Sequence, residues 1–259
     1  MPCVSKGPVT LFSLISLGLL SIVLQNLTLQ KWPFTSSNTT VQESFVCAHP
    51  SYTSRIVSYD PLIIHLENFI TPAEREYLIN RGRPLLQRSL VANRDGGPPI
   101  ERPARTSSTA FIPYNDTTAY CIQQRAAEFQ GFLSVRKIEM LQVVQYKQHQ
   151  EYRAHYDWGV ASAHKRERES TIYGILKGDC EHCGTQFPEI SVDWSGEDER
   201  WCDFVECEET EMLTFKAVAG SAVFWKNLHD DEEGDRRTLH AGLPVRNGTK
   251  VGLNIWTVV

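Results

Sequence analysis

His155-Tyr156-Asp157, answered near the other end of the chain by His240 and then by Lys250, constrains this sequence more than any other feature. On an extended strand, side-chain direction repeats every second residue, so His155 and Asp157 point to the same side. A third partner for them must come from a distant strand, which demands a fold that brings remote segments together. Two imidazoles and one carboxylate are the ligand set that holds Fe(II) on one face and leaves coordination positions open. A cation shortly after the last ligand suits an organic diacid that chelates the metal at one end and needs its far carboxylate paired at the other. That description fits 2-oxoglutarate.

The body around these residues reads as β-rich. The chain has 259 residues, 41% of them hydrophobic, with 13 prolines and 16 glycines among many short apolar runs. The length suffices for one large core or two small ones. A formal charge of −5, with no Lys/Arg stripe, argues against nucleic acid as a partner. Pro61–Phe69 is expected to form a strand. Thr71 then caps a helix, with Pro72 in its first turn and Glu74 completing a capping box. That helix should carry Tyr77, Leu78 and Ile79 inward and stop before Pro84. Residues 93–108, rich in Gly and Pro, are expected to be a mobile loop. A second helix is expected from about Thr117 to Leu133. Strands should dominate from Lys137 onward: 139–146, the His155–Asp157 strand, 170–176, 217–225 and 251–259. In the last of these, Lys250, Gly252, Asn254 and Trp256 share one face.

The N-terminus reads differently. No charged residue occurs from Val9 through Gln30, and residues 9–24 are almost continuously apolar after Lys6. A spanning helix needs roughly 20 apolar residues and a signal h-region roughly 7–15. Residues 1–30 are therefore expected to be an uncleaved signal anchor, with a cleaved signal peptide as the alternative. Residues 31–58, with their Ser, Thr, Asn and Pro, read as a linker or stalk, and 59–259 as the folded body, its core from about 137. The sequons at Asn26, Asn38, Asn115 and Asn247 suit a secretory compartment. So do Cys47, Cys121, Cys180, Cys183, Cys202 and Cys207, an even set beyond Cys3, although spacing leaves their pairing open. Cys180, Cys183, Cys202 and Cys207 can also be read as a four-thiolate zinc site. The acidic stretch 194–211 is expected to be a solvated insertion, tied by disulfide to Cys180 or Cys183. Among the other histidines, His229 competes with His240 as third ligand, while His149 and His164 read as surface residues.

Over residues 60–259 the chain resembles the prolyl 4-hydroxylase branch of the Fe(II)/2-oxoglutarate-dependent dioxygenases. The resemblance runs through Pro61–Phe69, Arg105-Thr106-Ser107, Leu141-Gln142-Val143-Val144-Gln145-Tyr146 and Tyr152-Arg153-Ala154-His155-Tyr156-Asp157-Trp158. It continues in Cys183-Gly184-Thr185-Gln186-Phe187-Pro188 and Leu239-His240-Ala241-Gly242-Leu243-Pro244-Val245, then Gly248-Thr249-Lys250, ending at Trp256. It implies a mainly β fold with flanking helices (α+β), a double-stranded β-helix or jelly roll packed on N-terminal helices. It implies His155, Asp157 and His240 as catalytic iron ligands, Lys250 on the distal carboxylate of 2-oxoglutarate, and Tyr146 and Thr185 as further co-substrate residues. Arg105 and Trp256 are implied on the substrate side, although a solvated loop arginine is an equal reading of Arg105. Two departures stand out. Cys183 replaces the first of two glycines usual before this threonine, and the segment between Asp157 and His240 is longer than the family's minimum.

The implied reaction is hydroxylation of a peptidyl proline C–H, with 2-oxoglutarate and O2 converted to succinate and CO2 and L-ascorbate as reductant. The same chemistry on a non-collagen peptide or a small-molecule natural product is the alternative. A catalytically silent jelly-roll binding protein and a zinc or lectin-like jelly roll stand further off. The implied setting is the endoplasmic reticulum membrane, single-pass type II with a lumenal catalytic domain, or a secreted form. The sequence does not decide between a monomer, a homodimer and a complex with a partner subunit.

Overall fold

The computed structural model of the chain describes residue 47 and residues 49–91, 98–159 and 167–259. They belong to one compact unit spanning 45–259. The expected anchor (1–30), most of the expected stalk, Cys3, Asn26, Asn38, His164 and residues 93–97 of the expected loop lie outside the described residues. Among the described residues, no helix is long and apolar enough to cross a membrane.

The first strand, β1 (Thr53–Tyr59), occupies positions assigned from composition to the stalk; it pairs antiparallel with β2 (Leu62–Glu67), so the folded body starts before residue 59. Composition misjudged it because β1 is an edge strand, half exposed, with Thr53, Ser54 and Tyr59 facing water. Helix α1 (Pro72–Gly82) begins at the expected capping box: the Thr71 side chain accepts from Glu74 N–H and the Glu74 carboxylate accepts from Thr71 N–H. Leu78 is buried as expected, but Tyr77 is 41% exposed and gives its hydroxyl proton to Asp116. After β3 (Gln87–Arg88), the segment expected to be a loop is partly ordered. Val91 bridges to Ile100, Arg105 bridges to Tyr152, and β4 (Ser108–Phe111) joins the sheet. Helix α2 (Thr117–Phe129), capped by Asp116, ends four residues earlier than the apolar pattern suggested. Gly131 and Phe132 both turn into positive φ there, which no helix continues.

The remaining strands are β5 (Gln142–Lys147), β6 (Tyr152–His155), β7 (Arg168–Glu181), β8 (Thr185–Phe187), β9 (Leu213–Phe215), β10 (Ala222–Lys226), β11 (His240–Gly242) and β12 (Asn247–Val258). The expected strand 217–225 begins only at Ala222, because Gly220 at φ 94° turns the chain. Eight strands form one sheet in the order β1-β2-β10-β7-β12-β5-β4-β3, and β6-β11-β8-β9 form a smaller one. This is the two-sheet arrangement of a jelly roll, with α1 and α2 covering the outer face of the large sheet.

Alternation along the central strands sorts side chains into two cores. Ile172, Leu176, Phe224, Val251, Leu253 and Ile255 pack with Leu78, Ile122 and Ala126 of the helices. The opposite face presents Tyr173, Ile175, Val223 and Trp225 to Phe187 and Phe215 of the small sheet. Both faces of β7 and β12 are buried, which is why these stretches read as nearly unbroken apolar runs. A buried ion pair fastens the helices. Arg125 of α2 bonds both oxygens of Glu74 at 2.6 and 3.0 Å and the Phe69 carbonyl at 2.9 Å.

The acidic insertion is less solvated than expected, since Trp194, Phe204 and Val205 anchor it in the core. It closes on itself through Cys202–Cys207. The other pairs are Cys47–Cys121 and Cys180–Cys183, so the insertion is not tied to β7, and no thiolates remain in this set for a zinc site.

Candidate active site

His155 ends β6, Asp157 follows it, and His240 opens β11, the strand beside β6. His155 and His240 are register partners. One ligand atom from each of the three residues lies within 4.8 Å of the others. The two Nε2 atoms stand 3.9 and 3.7 Å from Asp157 oxygens, and the imidazole centroids are 4.2 Å apart. Each Nδ1 lies 2.9 Å from a backbone carbonyl, that of Arg153 for His155 and that of Thr238 for His240. A carbonyl only accepts, so each ring carries its proton on Nδ1 and turns the Nε2 lone pair toward the common point. Burial, and then the neighbouring His240, push His155 well below the ordinary imidazole range, so it is neutral and able to ligate. Burial alone would raise Asp157. The His240 and His155 rings, Arg168 and the Trp256 N–H outweigh it and hold the carboxyl at about 2.

Asp157 is oriented by Trp256 and by Thr171, Asn227 and Arg168, which the sequence pattern did not single out. Thr171 Oγ1 donates to Asp157 Oδ2 at 2.8 Å and accepts from Asn227 Nδ2 at 2.9 Å. Trp256 Nε1 donates to the same Oδ2 at 3.0 Å, and the Arg168 guanidinium lies 3.5 Å over the Trp256 ring. Trp256, expected on the substrate side, thus spends its polar atom on the candidate ligand. Arg105 is not a solvated loop residue. It is buried, bonded to Gln142 Oε1 at 3.0 Å and the Leu90 carbonyl at 3.1 Å. Its guanidinium covers the Tyr152 ring at 4.6 Å, and that ring stacks on His155 at 3.5 Å. His229 is not part of the cluster; its side chain is 47% exposed and faces Asp235 at 3.8 Å.

Lys250 on β12 is 0% exposed. Its Nζ donates to the carbonyls of Cys183 and Gly184, at 2.7 and 3.1 Å, on the β7–β8 turn. Among the described residues, no carboxylate pairs with it, and burial pushes it down to about 7. A buried ammonium so placed is a receptor for an anion. Around it stand Tyr146 and Tyr173, whose rings lie 5.2 and 5.7 Å from Nζ; burial raises both hydroxyls, Tyr146 to about 12. Tyr173, which the sequence reading passed over, was findable by its register opposite Asn254 on the strand that carries Lys250. Glycines leave the space: a Cβ on Gly242 would meet the Tyr146 hydroxyl at 3.4 Å and Nζ at 3.8 Å, and one on Gly252 would strike the Tyr173 hydroxyl at 2.2 Å. Thr185, buried on β8 opposite Gly242, completes this side. The donor set of two imidazoles and a carboxylate, with a buried cation that no described carboxylate pairs in the same barrel, fits ferrous iron and a dicarboxylate.

Residues 141–258 match the family model described as the 2OG-Fe(II) oxygenase superfamily. The chain is similar to Arabidopsis thaliana Prolyl 4-hydroxylase 2, at 31% identity over 205 residues, covering 77% of this chain and 68% of the relative. It is likewise similar to Probable prolyl 4-hydroxylase 10 of the same plant, at 30% over 205 residues, 78% of this chain and 70% of the relative. In fold it is similar to the viral collagen prolyl hydroxylase of Paramecium Bursaria Chlorella virus-1 in its 2OG complex. There the TM-score is 0.55 at 23% identity, covering 76% of this chain and 96% of that one. A prolyl hydroxylase from Trichoplax adhaerens, in complex with a hypoxia inducible factor oxygen degradation domain peptide fragment, gives 0.51 at 12% identity, covering 76% and 83%.

Proposed function

This chain belongs to the 2OG-Fe(II) oxygenase superfamily, in its prolyl 4-hydroxylase branch, and from that premise we propose that His155, Asp157 and His240 hold its iron while Lys250 seats the far carboxylate of 2-oxoglutarate. The enzyme is a 2-oxoglutarate-dependent dioxygenase that hydroxylates proline; 2-oxoglutarate and O2 leave as succinate and CO2, with one oxygen retained on the substrate. When bound, ferrous iron supplies the redox chemistry that joins O2 activation to decarboxylation. The chain's own residues do the rest. The two Nδ1–H groups, fixed on backbone carbonyls, keep both imidazoles facing one point, and Thr171 and Trp256 fix the rotation of the carboxylate. Lys250 aligns the keto acid, with Tyr146, Tyr173 and Thr185 around it. The apolar wall of Phe187, Trp225 and Val223 excludes water, so the C–H of the substrate is the nearest group to be oxidised. The observation that carries this reading is the convergence of the three ligand atoms in the barrel that also buries an unpaired Lys250.

Peptidyl proline is the substrate class supported by the relatives named above. The same chemistry on a non-collagen peptide or a small natural product is the second reading, because no described segment forms a separate peptide-binding domain. L-Ascorbate serves as the reductant. The enzyme works in the endoplasmic reticulum lumen, anchored through residues 1–30 with a stalk that ends before Thr53. The three disulfides and the exposed sequon residues Asn115 and Asn247 support an oxidising, glycosylating compartment. The test incubates the chain with ferrous iron, 2-oxoglutarate, ascorbate and proline-rich peptides, following succinate and the mass of one added oxygen. Turnover that ignores every proline peptide would move the substrate to the second reading. Undiminished iron retention in Asp157→Ala would reject the ligand assignment.

A further inference from the structure

The β7–β8 turn carries a cysteine pair that hydroxylation does not use. Cys180 is half-buried at the end of β7, Cys183 is 4% exposed, and a disulfide joins them across Glu181 and His182, both exposed. The carbonyl of Cys183 and that of the next residue, Gly184, are the acceptors that hold Lys250 Nζ. On the other side of the bond, Cys180 pairs with Gly248 and Gly178 with Lys250 itself, so the disulfide clamps the strand end beside Lys250 to the turn that supports it. The other two disulfides have no such position. Cys47–Cys121 fastens the chain to α2, and Cys202–Cys207 closes the acidic insertion on itself; neither joins the turn whose carbonyls hold Lys250.

We propose that Cys180–Cys183 is a thiol–disulfide exchange site, open to a dithiol reductant, whose state sets the affinity of the neighbouring pocket for 2-oxoglutarate. The second half rests on the reading of Lys250 given above. A thiolate of the dithiol attacks Cys180 Sγ, the more accessible sulfur. The Cys180–Cys183 bond breaks, Cys183 leaves as thiolate, and a mixed disulfide forms on Cys180. The second thiol of the reductant displaces Cys180 and closes the reductant's own disulfide. Two electrons and two protons pass from the dithiol to the cysteine pair, and the reverse exchange with a disulfide of the same class restores the bond. Opened, the turn loses its covalent clamp, and the Cys183 carbonyl can swing away from Nζ. Lys250 is then less firmly held and meets its anion less well.

The test uses the full chain. Oxidised protein is treated with graded dithiothreitol, alkylated and mapped by mass spectrometry, and its 2-oxoglutarate affinity is read both as KM and, without turnover, by tryptophan fluorescence. Opening Cys180–Cys183 is expected to weaken 2-oxoglutarate roughly tenfold, the worth of one hydrogen bond to a charged group, while kcat at saturation holds. Cys180→Ser/Cys183→Ser should show the weakened affinity without reductant and no further response. Cys202→Ser/Cys207→Ser should respond as the parent does. If the double variant at 180 and 183 does not fold, parent protein alkylated at that pair alone provides the same measurement. Unchanged affinity once both cysteines are found alkylated overturns the proposal, as does a pair that stays closed while the others open. Lys250→Met separates the two layers. A raised KM there beside an unchanged one in reduced protein removes only the exchange site, whereas an unchanged KM in Lys250→Met removes the pocket reading itself.

Discussion

Thr171→Val isolates the positioning of Asp157 with little change of shape. Thr171 is 0% exposed and lies between Trp225 and Trp256 on the neighbouring strands, so the added methyl replaces a hydroxyl in the same packed volume. Two hydrogen bonds disappear: the 2.8 Å donation to Asp157 Oδ2 and the 2.9 Å acceptance from Asn227 Nδ2. The first is a bond to a charged group, worth about 1.5–3 kcal/mol, and it leaves Trp256 as the remaining donor to that oxygen. Its loss lets the carboxylate rotate, which translates to about 10- to 100-fold in iron affinity. The second leaves the Asn227 amide, buried at 0% exposure, without its acceptor, a cost of about 1–3 kcal/mol that falls on stability and not on metal binding. The assay is an anaerobic ferrous titration of parent, Thr171→Val and Thr171→Ser, with thermal unfolding of each metal-free protein. Thr171→Ser keeps the hydroxyl and should bind iron as the parent does. Parent-like iron affinity in Thr171→Val would refute the claim that the Asn227–Thr171–Asp157 chain orients the ligand.

Four further outcomes follow from the same structure. Lys250 has a folded-state value of about 7, below its unfolded value, so between about 7 and 10.4 only the unfolded chain holds this proton and stability of the ligand-free protein rises with pH. Over the same range 2-oxoglutarate must bind with uptake of a proton, so its affinity falls as pH rises above about 7, and titration calorimetry in buffers of different ionisation heat reads that uptake. Arg125→Met leaves Glu74 buried without its partner and should lower stability by about 3–5 kcal/mol, seen as a fall in Tm with iron affinity retained in the folded fraction. Gly252→Ala puts a Cβ 2.2 Å from the Tyr173 hydroxyl, so the ring must shift beside Lys250; the KM for 2-oxoglutarate should rise while ferrous affinity holds.

The parts of the site that were legible beforehand are those whose chemistry is local. His155 and Asp157 are two residues apart, at the end of β6 and just beyond it, and so short a separation keeps them neighbours whatever the rest of the fold does. Lys250 was legible because a lysine inside a buried strand run is costly without a task. The burial of Arg105 was not legible because its Gly- and Pro-rich surroundings describe a loop, while its partners, Gln142, Leu90 and the Tyr152 ring, come from three other segments. Tyr77 went the other way: helical spacing placed it inward, but α1 buries only a narrow stripe. Trp256 shared the right face, yet its partner is fixed by strand pairing and not by its own sequence.

Residue order alone determined a β-rich body, the capped first helix, the candidate ligand types and the buried cation, since each follows from side-chain chemistry or from a period of two or 3.6 residues. Tertiary structure decided which cysteines pair, that β1 belongs to the body, and that Thr171, Asn227, Trp256 and Arg168 gather behind Asp157. Those facts depend on the register between strands far apart in the chain, and a hydrogen bond between distant residues leaves no periodic trace in either of them.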